Sequence, residues 1–386
     1  MAEKRVRIGI VGAHWALSGH APAWRMLPGA EVVAICTAHR ETAEAAANRS
    51  GIGKAYWDYR EMIADPEIDL VDLGANPAVR YSMAVQALEA GKHVHDAVPF
   101  AVDLPQARHL RDLQRARGLV GLVDSQLIWT PAFRRMKELI AAGTLGEFYH
   151  ATLNIQTPLS RHGGFAYPYA AWSNNDSSHL WLGDKSSGGS AWRNYGAHAL
   201  ITLGHLFGEI EEIVGRTETY LKTWNLPDGS SVIPQTDDFG AALVRFKNGG
   251  LATIRTSWCT PDAEVVHLEA VGSRARMVLR DHSLGRDPFV PLFVGEANAT
   301  ILPETTGGFV PLPPHLYEVP GVAVGSDNAP RVIFPFLAMF DHALRAIATC
   351  GEATPSFNDA LMAQRGVEGL YVSAASRTWV RLTELG

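Results

Sequence analysis

The first 130 residues alternate short apolar segments with segments of helical pattern, and this alternation limits the fold more than any other feature. The apolar segments are rich in β-branched residues, as buried strands are: "VRIGIVG", "AEVVAICT", "IDLVDLGA", "KHVHDAV" and "GLVGLVDS". Between them lie helical patterns such as "ETAEAAANRSG", "YSMAVQALEAG" and "DLPQARHLRDLQRARG". Strands that alternate with crossover helices form a parallel sheet that is covered on both faces. The pattern predicts an α/β domain over residues 1–130.

The pattern changes after residue 130. "FYHATLNIQ" alternates like a half-exposed strand, and "AALVRFKNGGLATIRTSW" contains two such strands joined by Asn248-Gly249, a hairpin signal. Two helical segments close the chain, around "VIFPFLAMFDHALRAI" and "FNDALMAQRGVEGLYVSAASRTWV". Strands without intervening helices indicate an antiparallel sheet. We expect an α+β domain over residues 131–386 with an open, mostly antiparallel sheet, and final helices that pack near the domain junction.

Composition narrows the class of protein. A chain of 386 residues is too long for one ordinary core, which agrees with two domains. The formal net charge of −6 gives no field that favours nucleic acid or an anionic membrane. Three scattered cysteines suggest a reducing compartment, and no apolar run approaches the roughly 18 residues of a membrane span. We expect a cytoplasmic protein whose partner is a small molecule, with no nucleic acid and no membrane.

The turn after the first strand reads "VGAHWALSGHAPAW". A dinucleotide at such a turn needs glycines, which let the backbone approach the pyrophosphate. Gly12 fits the first glycine, but His14 and Leu17 stand where two more would be. Taken alone, this turn leaves dinucleotide binding an open question.

Several segments in order carry a resemblance over nearly the whole chain: "RIGIVG", "GHAPAW", "YWDYREMIADPEIDLVDL", "ALEAGKHV", "AGTLGEF", "GGSAWRNYGAHAL" and "VRFKNGGLATI". With these segments the chain resembles the Gfo/Idh/MocA family of NAD(P)-dependent oxidoreductases. The variant turn "HWALSGHAPA" is most similar to the branch that contains the yeast galactose-pathway repressor, which binds dinucleotide despite its altered turn. The resemblance implies a Rossmann-like dinucleotide-binding domain over residues 1–130, a substrate-binding and oligomerisation domain over residues 131–386, and a dimer or tetramer.

The resemblance also implies which residues contact the cofactor: Gly12, His14, Trp15, Ala16, Thr37, Arg40, Ala75, Asn76, Pro77, Val98, Pro99 and Gln126. At the end of the second strand, an acidic residue would bind the ribose hydroxyls of NAD, but Thr37 and Arg40 stand there instead. A hydroxyl and a cation suit a 2′-phosphate better. We expect NADP somewhat over NAD.

The family carries a Glu-Lys-Pro triplet after the fourth strand, and its lysine serves the reacting hydroxyl. The matching positions here are Ala97, Val98 and Pro99, so only the proline is kept. Valine cannot relay a proton, which puts lysine-assisted hydride transfer in doubt. Asp96 shares a side of the strand with Val98 and is a candidate carboxylate, and Lys185 is a candidate replacement for the lysine.

A second family segment, Asp-x-x-x-His-x-x-x-Asp on a helix, corresponds to Asn194, His198 and Thr202. A spacing of four places the three residues on one helix face. Histidine titrates near neutrality, so His198 is the candidate general base, with Tyr195 as a further candidate. His198 and His205 are separated by about 10.5 Å of helix, too far to share one ion, so no metal is expected.

A segment rich in aromatic and polar residues precedes this helix. Flat aromatic faces and polar tips suit a sugar or another ring, and the alternative interpretation is a surface loop or subunit contact. Together with Asn194 and Thr202, the candidate substrate-binding residues are Arg161, His162, Tyr167, Tyr169 and Trp172.

Three functions remain open from the sequence. The first is an NAD(P)-dependent oxidoreductase that acts on a carbohydrate, polyol or related alcohol, with His198 as base. The second is a redox-neutral enzyme that oxidises a ring hydroxyl transiently, eliminates a glycosidic or ether substituent and returns the hydride; valine at the lysine position, as in some glycoside-cleaving members of the family, favours it. The third is a non-enzymatic, dinucleotide-binding regulator.

Overall fold

The computed structural model of the protein describes residues 5–157, 160–161, 164–165, 176–226, 230–261, 264–296 and 307–385. It has the predicted organisation of a parallel sheet with helices followed by a mostly antiparallel sheet. The fold class expected from the sequence is therefore confirmed.

The first sheet has six strands, all parallel, in the order β3-β2-β1-β4-β5-β6. Its strands are β1 (Val6–Val11), β2 (Ala30–Cys36), β3 (Lys54–Tyr56), β4 (Leu70–Leu73), β5 (His93–Asp96) and β6 (Gly121–Val123). The helices that connect them are α1 (Ala21–Met26), α2 (Arg40–Ser50), α3 (Tyr59–Ala64), α4 (Pro77–Glu89) and α5 (Leu104–Ala116). The strand order reverses between β1 and β4, the switch point where open α/β sheets bind ligands at the carboxyl ends of their strands.

The remaining strands are β7 (Phe148–Gln156), β8 (Ser160–Arg161), β9 (Gly164–Phe165), β10 (Ile210–Glu218), β11 (Trp224–Asn225), β12 (Ser231–Val232), β13 (Phe239–Phe246), β14 (Leu251–Ser257), β15 (Val266–Gly272), β16 (Ala275–Asp281), β17 (Leu292–Glu296), β18 (Gly308–Val310) and β19 (Val380–Arg381). Nine of them form one sheet in the order β18-β17-β16-β15-β7-β14-β13-β10-β19. Among the described residues of this sheet, only the β7–β14 pairing is parallel.

The second set of helices is α6 (Pro131–Ala141), α7 (Ala197–Phe207), α8 (Phe334–Thr349) and α9 (Phe357–Ser376). Residues alternate along the strands that face them: Ala252 and Ile254 of β14 are buried, whereas Leu251 and Thr253 are exposed. The buried face packs against α7, which lies in the same apolar core. The alternation of buried and exposed residues thus identifies the face of the sheet that packs against the helix.

The last two helices return to the first sheet. Phe340 of α8 is fully buried and its ring stacks on Trp24 of α1, with ring centroids 3.8 Å apart. Helix α9 contacts α5 of the first domain as well as α7 and β10 of the second. Just before α9, Ser356 pairs with Leu122 of β6 as an isolated β-bridge. The end of the chain therefore fastens the two halves together, beside the carboxyl edge of the parallel sheet.

A membrane span would require a long apolar helix. Among the described residues, no helix combines the length and hydropathy needed to cross a bilayer.

Candidate active site

The turn after β1 brings two strand ends unusually close. Gly12 has φ +103°, a conformation that favours glycine, and a Cβ atom there would lie 3.3 Å from the Gly74 carbonyl oxygen. A Cβ atom on Gly74, which follows β4, would lie 2.6 Å from the Cβ of Ala16. The backbone is thus bare of side chains at the point where a pyrophosphate approaches in this fold.

A cleft of about 1580 Å³ opens at the carboxyl ends of β1, β2 and β4. Its place at the switch point and its size fit a dinucleotide. Five residues that the sequence assigned to the cofactor line this cleft: Gly12, His14, Trp15, Thr37 and Ala75. These residues therefore fit the dinucleotide that the turn was predicted to bind.

Other predicted cofactor residues lie beside the cleft. Ala16 is buried in the turn next to Gly74, and Gln126 is buried just after β6. Asn76 caps α4, because its side chain accepts a hydrogen bond from the Val79 backbone amide, and Pro77 opens that helix. These residues lie next to the cleft, and their contact with the cofactor stays a prediction.

Arg40 lies at the rim beside Trp57, which lines the cleft. Its guanidinium is 5.0 Å from the centre of the Trp57 ring, and its Nε donates to Glu44 Oε1 at 2.8 Å. Thr37 Oγ1 donates to the His39 carbonyl at 2.9 Å. The arrangement leaves a hydroxyl and a cation near the second strand, and the preference for NADP over NAD stays a prediction.

The segment after β5 is held by one buried arginine. Arg80 on α4 pairs with the Asp96 carboxylate and donates to the carbonyl oxygens of Ala75, Ala97 and Pro99. Val98, between those two carbonyls, is partly buried against the apolar cores of both domains. The position of the missing lysine is therefore an apolar contact at the domain junction.

This network corrects the role expected for Asp96. Its carboxylate is fully buried, with Oδ1 accepting from Arg80 and from the Ala97 backbone amide. Burial raises the pKa of Asp96, although the Arg80 cation opposes that shift. Asp96 fixes the backbone after β5, so we no longer assign it the proton-accepting role of the absent glutamate and lysine.

His198 on α7 reaches across to the first domain. Its Nδ1 lies 3.1 Å from Ser125 Oγ, which follows β6. Burial lowers the pKa of His198 to about 4, although the Asp124 carboxylate opposes that shift. When Nδ1–H donates to the serine oxygen, the lone pair of Nε2 is left to accept a proton. His198 is thus a neutral imidazole of fixed orientation at neutral pH.

The other residues of this helical segment are more deeply buried. Thr202 is fully buried, Asn194 is 8% exposed and Tyr195 is 2% exposed. The Tyr195 hydroxyl lies 3.1 Å from Thr157 Oγ1 within the second domain. A π-helical turn over Trp192–Gly196 contains Asn194 and precedes α7, so the spacing of four between Asn194 and His198 does not run through a regular α-helix.

The structure does not bring Lys185 to His198. Lys185 is exposed and lines a different cavity of about 540 Å³, which Arg193, Asp237 and Tyr371 also line and His198 does not. Its expected role as a substitute for the family lysine is therefore not supported by position.

The predicted aromatic segment is only partly described. Arg161 lies in β8, but its side chain is outside the described part of the structure. The other candidate substrate residues in that segment lie outside the described residues: His162, Tyr167, Tyr169 and Trp172.

Sequence reasoning missed a buried polar network at the centre of the parallel sheet. His20 Nδ1 lies 3.0 Å from Asp72 Oδ1, and His20 Nε2 lies 3.3 Å from Asp124 Oδ2. Trp24 Nε1 donates to Asp72 Oδ2 at 2.8 Å, and His95 Nδ1 lies 3.0 Å from Asp72 Oδ1. The network joins the cofactor turn to β4, β5 and the end of β6.

The carboxylates of Asp72 and Asp124 stabilise the protonated form of His20. Burial alone would lower the pKa of His20, but Asp72 and Asp124 raise it to about 10. Burial likewise opposes ionisation of Asp72, and the neighbouring histidines His20 and His95 nevertheless lower its pKa. A sequence signal for the network exists, because Asp72 and His95 interrupt the apolar strands "LVDL" and "KHVHDAV" and pair in register across β4 and β5.

Comparisons with known proteins agree with this geometry. Residues 6–125 match the family profile described as "Oxidoreductase family, NAD-binding Rossmann fold", and residues 133–278 match the profile of the "GFO/IDH/MocA C-terminal domain". Levoglucosan dehydrogenase of Pseudarthrobacter phenanthrenivorans is 23% identical, with 99% of each chain covered. D-apiose dehydrogenase of Paraburkholderia graminis is 27% identical over 42% of this chain and 44% of that protein.

Solved structures share the whole fold. An NAD-binding oxidoreductase from Klebsiella pneumoniae is 26% identical, with a TM-score of 0.84 over 98% of this chain and 99% of the other. Levoglucosan dehydrogenase in complex with NADH and L-sorbose is 21% identical, with a TM-score of 0.83 over the same shares.

The fold and the cleft at its switch point define an NAD(P)-dependent oxidoreductase with an NAD-binding Rossmann domain. The chain belongs to the Gfo/Idh/MocA family.

Substitution of Gly12 tests the cofactor turn. We expect Gly12→Ala to weaken NAD(P)H binding about tenfold or more, because the new Cβ is strained at φ +103° and lies against the Gly74 carbonyl. Titration of the protein with NADH and with NADPH, followed by fluorescence, measures both dissociation constants.

Gly53→Ala is the matched control, because a Cβ atom there would have no heavy atom within 4 Å. Equal affinities for Gly12→Ala and Gly53→Ala would show that the cofactor binds away from this turn.

Proposed function

We propose that the protein oxidises a secondary hydroxyl of a carbohydrate, polyol or related alcohol, with His198 as the proton acceptor. The observation that carries this proposal is the neutral imidazole of His198, anchored by Ser125 at the edge of the dinucleotide-binding sheet. The curated relatives support the substrate class, since they include levoglucosan dehydrogenase, D-apiose dehydrogenase and 1,5-anhydro-D-fructose reductase.

The chemistry divides between the cofactor and the chain. When bound, an oxidised nicotinamide accepts a hydride from the carbon that carries the hydroxyl. Nε2 of His198 accepts the hydroxyl proton, while the contact of Ser125 Oγ with Nδ1 fixes the orientation of the ring. The negative charge of Asp124 stabilises the imidazolium that results. Asp124 would thus compensate for the carboxylates that Asn194 and Thr202 replace on the helix.

The redox-neutral alternative has less support among the described residues. Elimination needs a second base to remove a carbon-bound proton after oxidation. Of the two candidates, Tyr195 is 2% exposed and bonded to Thr157, and Lys185 lines another cavity. Val98 is compatible with either reaction, because its apolar side chain takes no part in proton transfer.

A purely regulatory role is the third hypothesis. It rests on the similarity of the cofactor turn to that of the galactose-repressor branch, and it gives no reason for a neutral imidazole anchored across the domain junction. The expected homo-oligomer, a dimer or tetramer, and the cytoplasmic location also stay predictions.

Replacement of the base tests the proposal. We expect His198→Asn to lower kcat for alcohol oxidation by about 10²-fold or more, because the amide can still bond Ser125 but cannot accept the proton. The measurement is NAD(P)H formation, with a panel of anhydrosugars, aldoses and polyols as substrates. Dinucleotide affinity should stay unchanged, since His198 does not line the cofactor cleft.

His205→Asn on the same helix is the control, and its activity should match that of the unsubstituted protein. Full activity of His198→Asn would show that another residue accepts the hydroxyl proton. Absence of NAD(P)H formation by the unsubstituted protein, with product formed from sub-stoichiometric NAD(P)⁺, would favour the redox-neutral reaction.

The pH dependence follows from the same histidine. His198 must be unprotonated to act as base, and burial lowers its pKa to about 4 from the ordinary value of 6.5. Its acceptor form is therefore present above about pH 4 and is lost as the pH falls through that value. We expect kcat/KM for oxidation to show no limb near pH 6.5, in assays with circular dichroism as a check on folding. A tenfold loss per pH unit that begins near 6.5 would contradict this assignment.

A further inference from the structure

We propose that His20, Asp72 and His95 form a buried binding site for one divalent transition-metal ion, with zinc as the best-suited ion. The site is separate from the dinucleotide cleft and from His198. The ion would brace the turn that precedes α1 against strands β4 and β5.

The geometry of the three side chains suits a shared ion. One ligand atom from each lies within 4.8 Å of the others, and Nδ1 of each histidine is 3.0 Å from Asp72 Oδ1. Bonds of about 2.0–2.2 Å in a tetrahedral zinc site place neighbouring ligand atoms roughly 3.3–3.5 Å apart. Small rotations of the side chains would therefore admit an ion at the point that the three ligand atoms share.

His95 supplies an independent observation. It is fully buried, and neither ring nitrogen has a hydrogen-bond partner within the described part of the chain. Its Nδ1 is close to Asp72, but the ring N–H does not point at the carboxylate. A buried polar group without a partner costs about 1–3 kcal/mol. A lone pair directed at a metal, rather than an N–H directed at an oxygen, accounts for this orientation.

The surrounding groups resemble the outer shell of a metal site. Histidine ligands commonly donate their second ring N–H to a carboxylate, and carboxylate ligands are themselves hydrogen-bonded. His20 Nε2 lies 3.3 Å from Asp124 Oδ2, and the second oxygen of Asp72 accepts from Trp24 Nε1 at 2.8 Å. Both partners would orient a ligand without themselves binding the ion.

Charge balance favours a divalent ion. Asp72 is fully buried and Asp124 is 7% exposed. A divalent ion bound by two neutral histidines offsets both carboxylates and uses both rings, which lowers the cost of the buried charge.

The donor set selects the kind of ion. Two imidazole nitrogens and one carboxylate oxygen suit zinc, whereas calcium and magnesium prefer oxygen ligands alone. All three side chains are buried beneath Trp24 and Phe340, so substrate has no access to such an ion, and one enclosed water would complete its tetrahedron. Its role is structural.

Metal analysis of the whole protein tests the proposal. Untagged protein, expressed and dialysed with zinc chloride and then desalted, should contain about one zinc ion per chain by mass spectrometry. X-ray absorption should show nitrogen and oxygen ligands at about 2.0–2.1 Å and no sulfur. His95→Leu, which fills the volume of the ring with an apolar side chain, should lose the zinc and lower Tm by roughly 5 °C or more.

His342→Asn on α8 is the control and should keep both the zinc and the Tm. A zinc-free unsubstituted protein that takes up no zinc would overturn the proposal, and this result holds even when His95→Leu fails to fold. Zinc retained by His95→Leu would place the ion elsewhere and would also overturn it. So would a His95→Leu protein of equal or higher Tm, since removal of an unpartnered polar group stabilises a site that binds no metal.

Discussion

The hydrogen-bonded chain Asp72–His20–Asp124 lies in the interior of the parallel sheet, and the position of the cofactor turn depends on it. His20 ends the π-helical turn Ala16–His20, so its two bonds attach that turn to β4 and to the end of β6. Loss of one partner would leave a buried charge uncompensated, at a cost of about 3–5 kcal/mol. The turn lacks two of the three glycines of the usual fingerprint, and this attachment fixes its position against the sheet.

The same network lies beneath elements from the far end of the chain. Phe336 and Phe340 of α8 pack against His20, and Phe340 stacks on Trp24. At the other side, the residue after Asp124 is Ser125, which holds His198 of the second domain. The cofactor turn, the base and the last helices are therefore coupled through one buried region.

The departure from the family triplet has a structural counterpart in Arg80. In place of a lysine beside the reacting hydroxyl, the segment after β5 presents Val98 to the cores of both domains, and Arg80 holds the flanking carbonyls. In the proposed reaction, proton transfer depends on His198, whose depressed pKa keeps it unprotonated at neutral pH. Under this proposal, the valine removes one group that could transfer the proton, and His198 accepts it instead.

The sequence predicted what depends on local pattern or register. The alternation of strands and helices predicted both sheets, and Gly12 was assigned to the cofactor turn, where the structure gives it φ +103°. It did not reveal contacts between distant residues: His20 lies 52 positions from Asp72 and 104 from Asp124. The pairing of Asp96 with Arg80 was missed because Arg80 lies on another element, and the π-helical turn that contains Asn194 was missed because such a turn has no clear sequence signal.

A crystal structure with NADH or NADPH and a polyol bound tests the central claim, that His198 is the proton acceptor of an alcohol oxidation, most directly. The account predicts a hydroxyl oxygen about 2.6–3.2 Å from His198 Nε2, with the carbon that carries it facing C4 of the nicotinamide. A hydroxyl held instead by another side chain, with His198 bonded only to Ser125 and out of reach of the substrate, would contradict it.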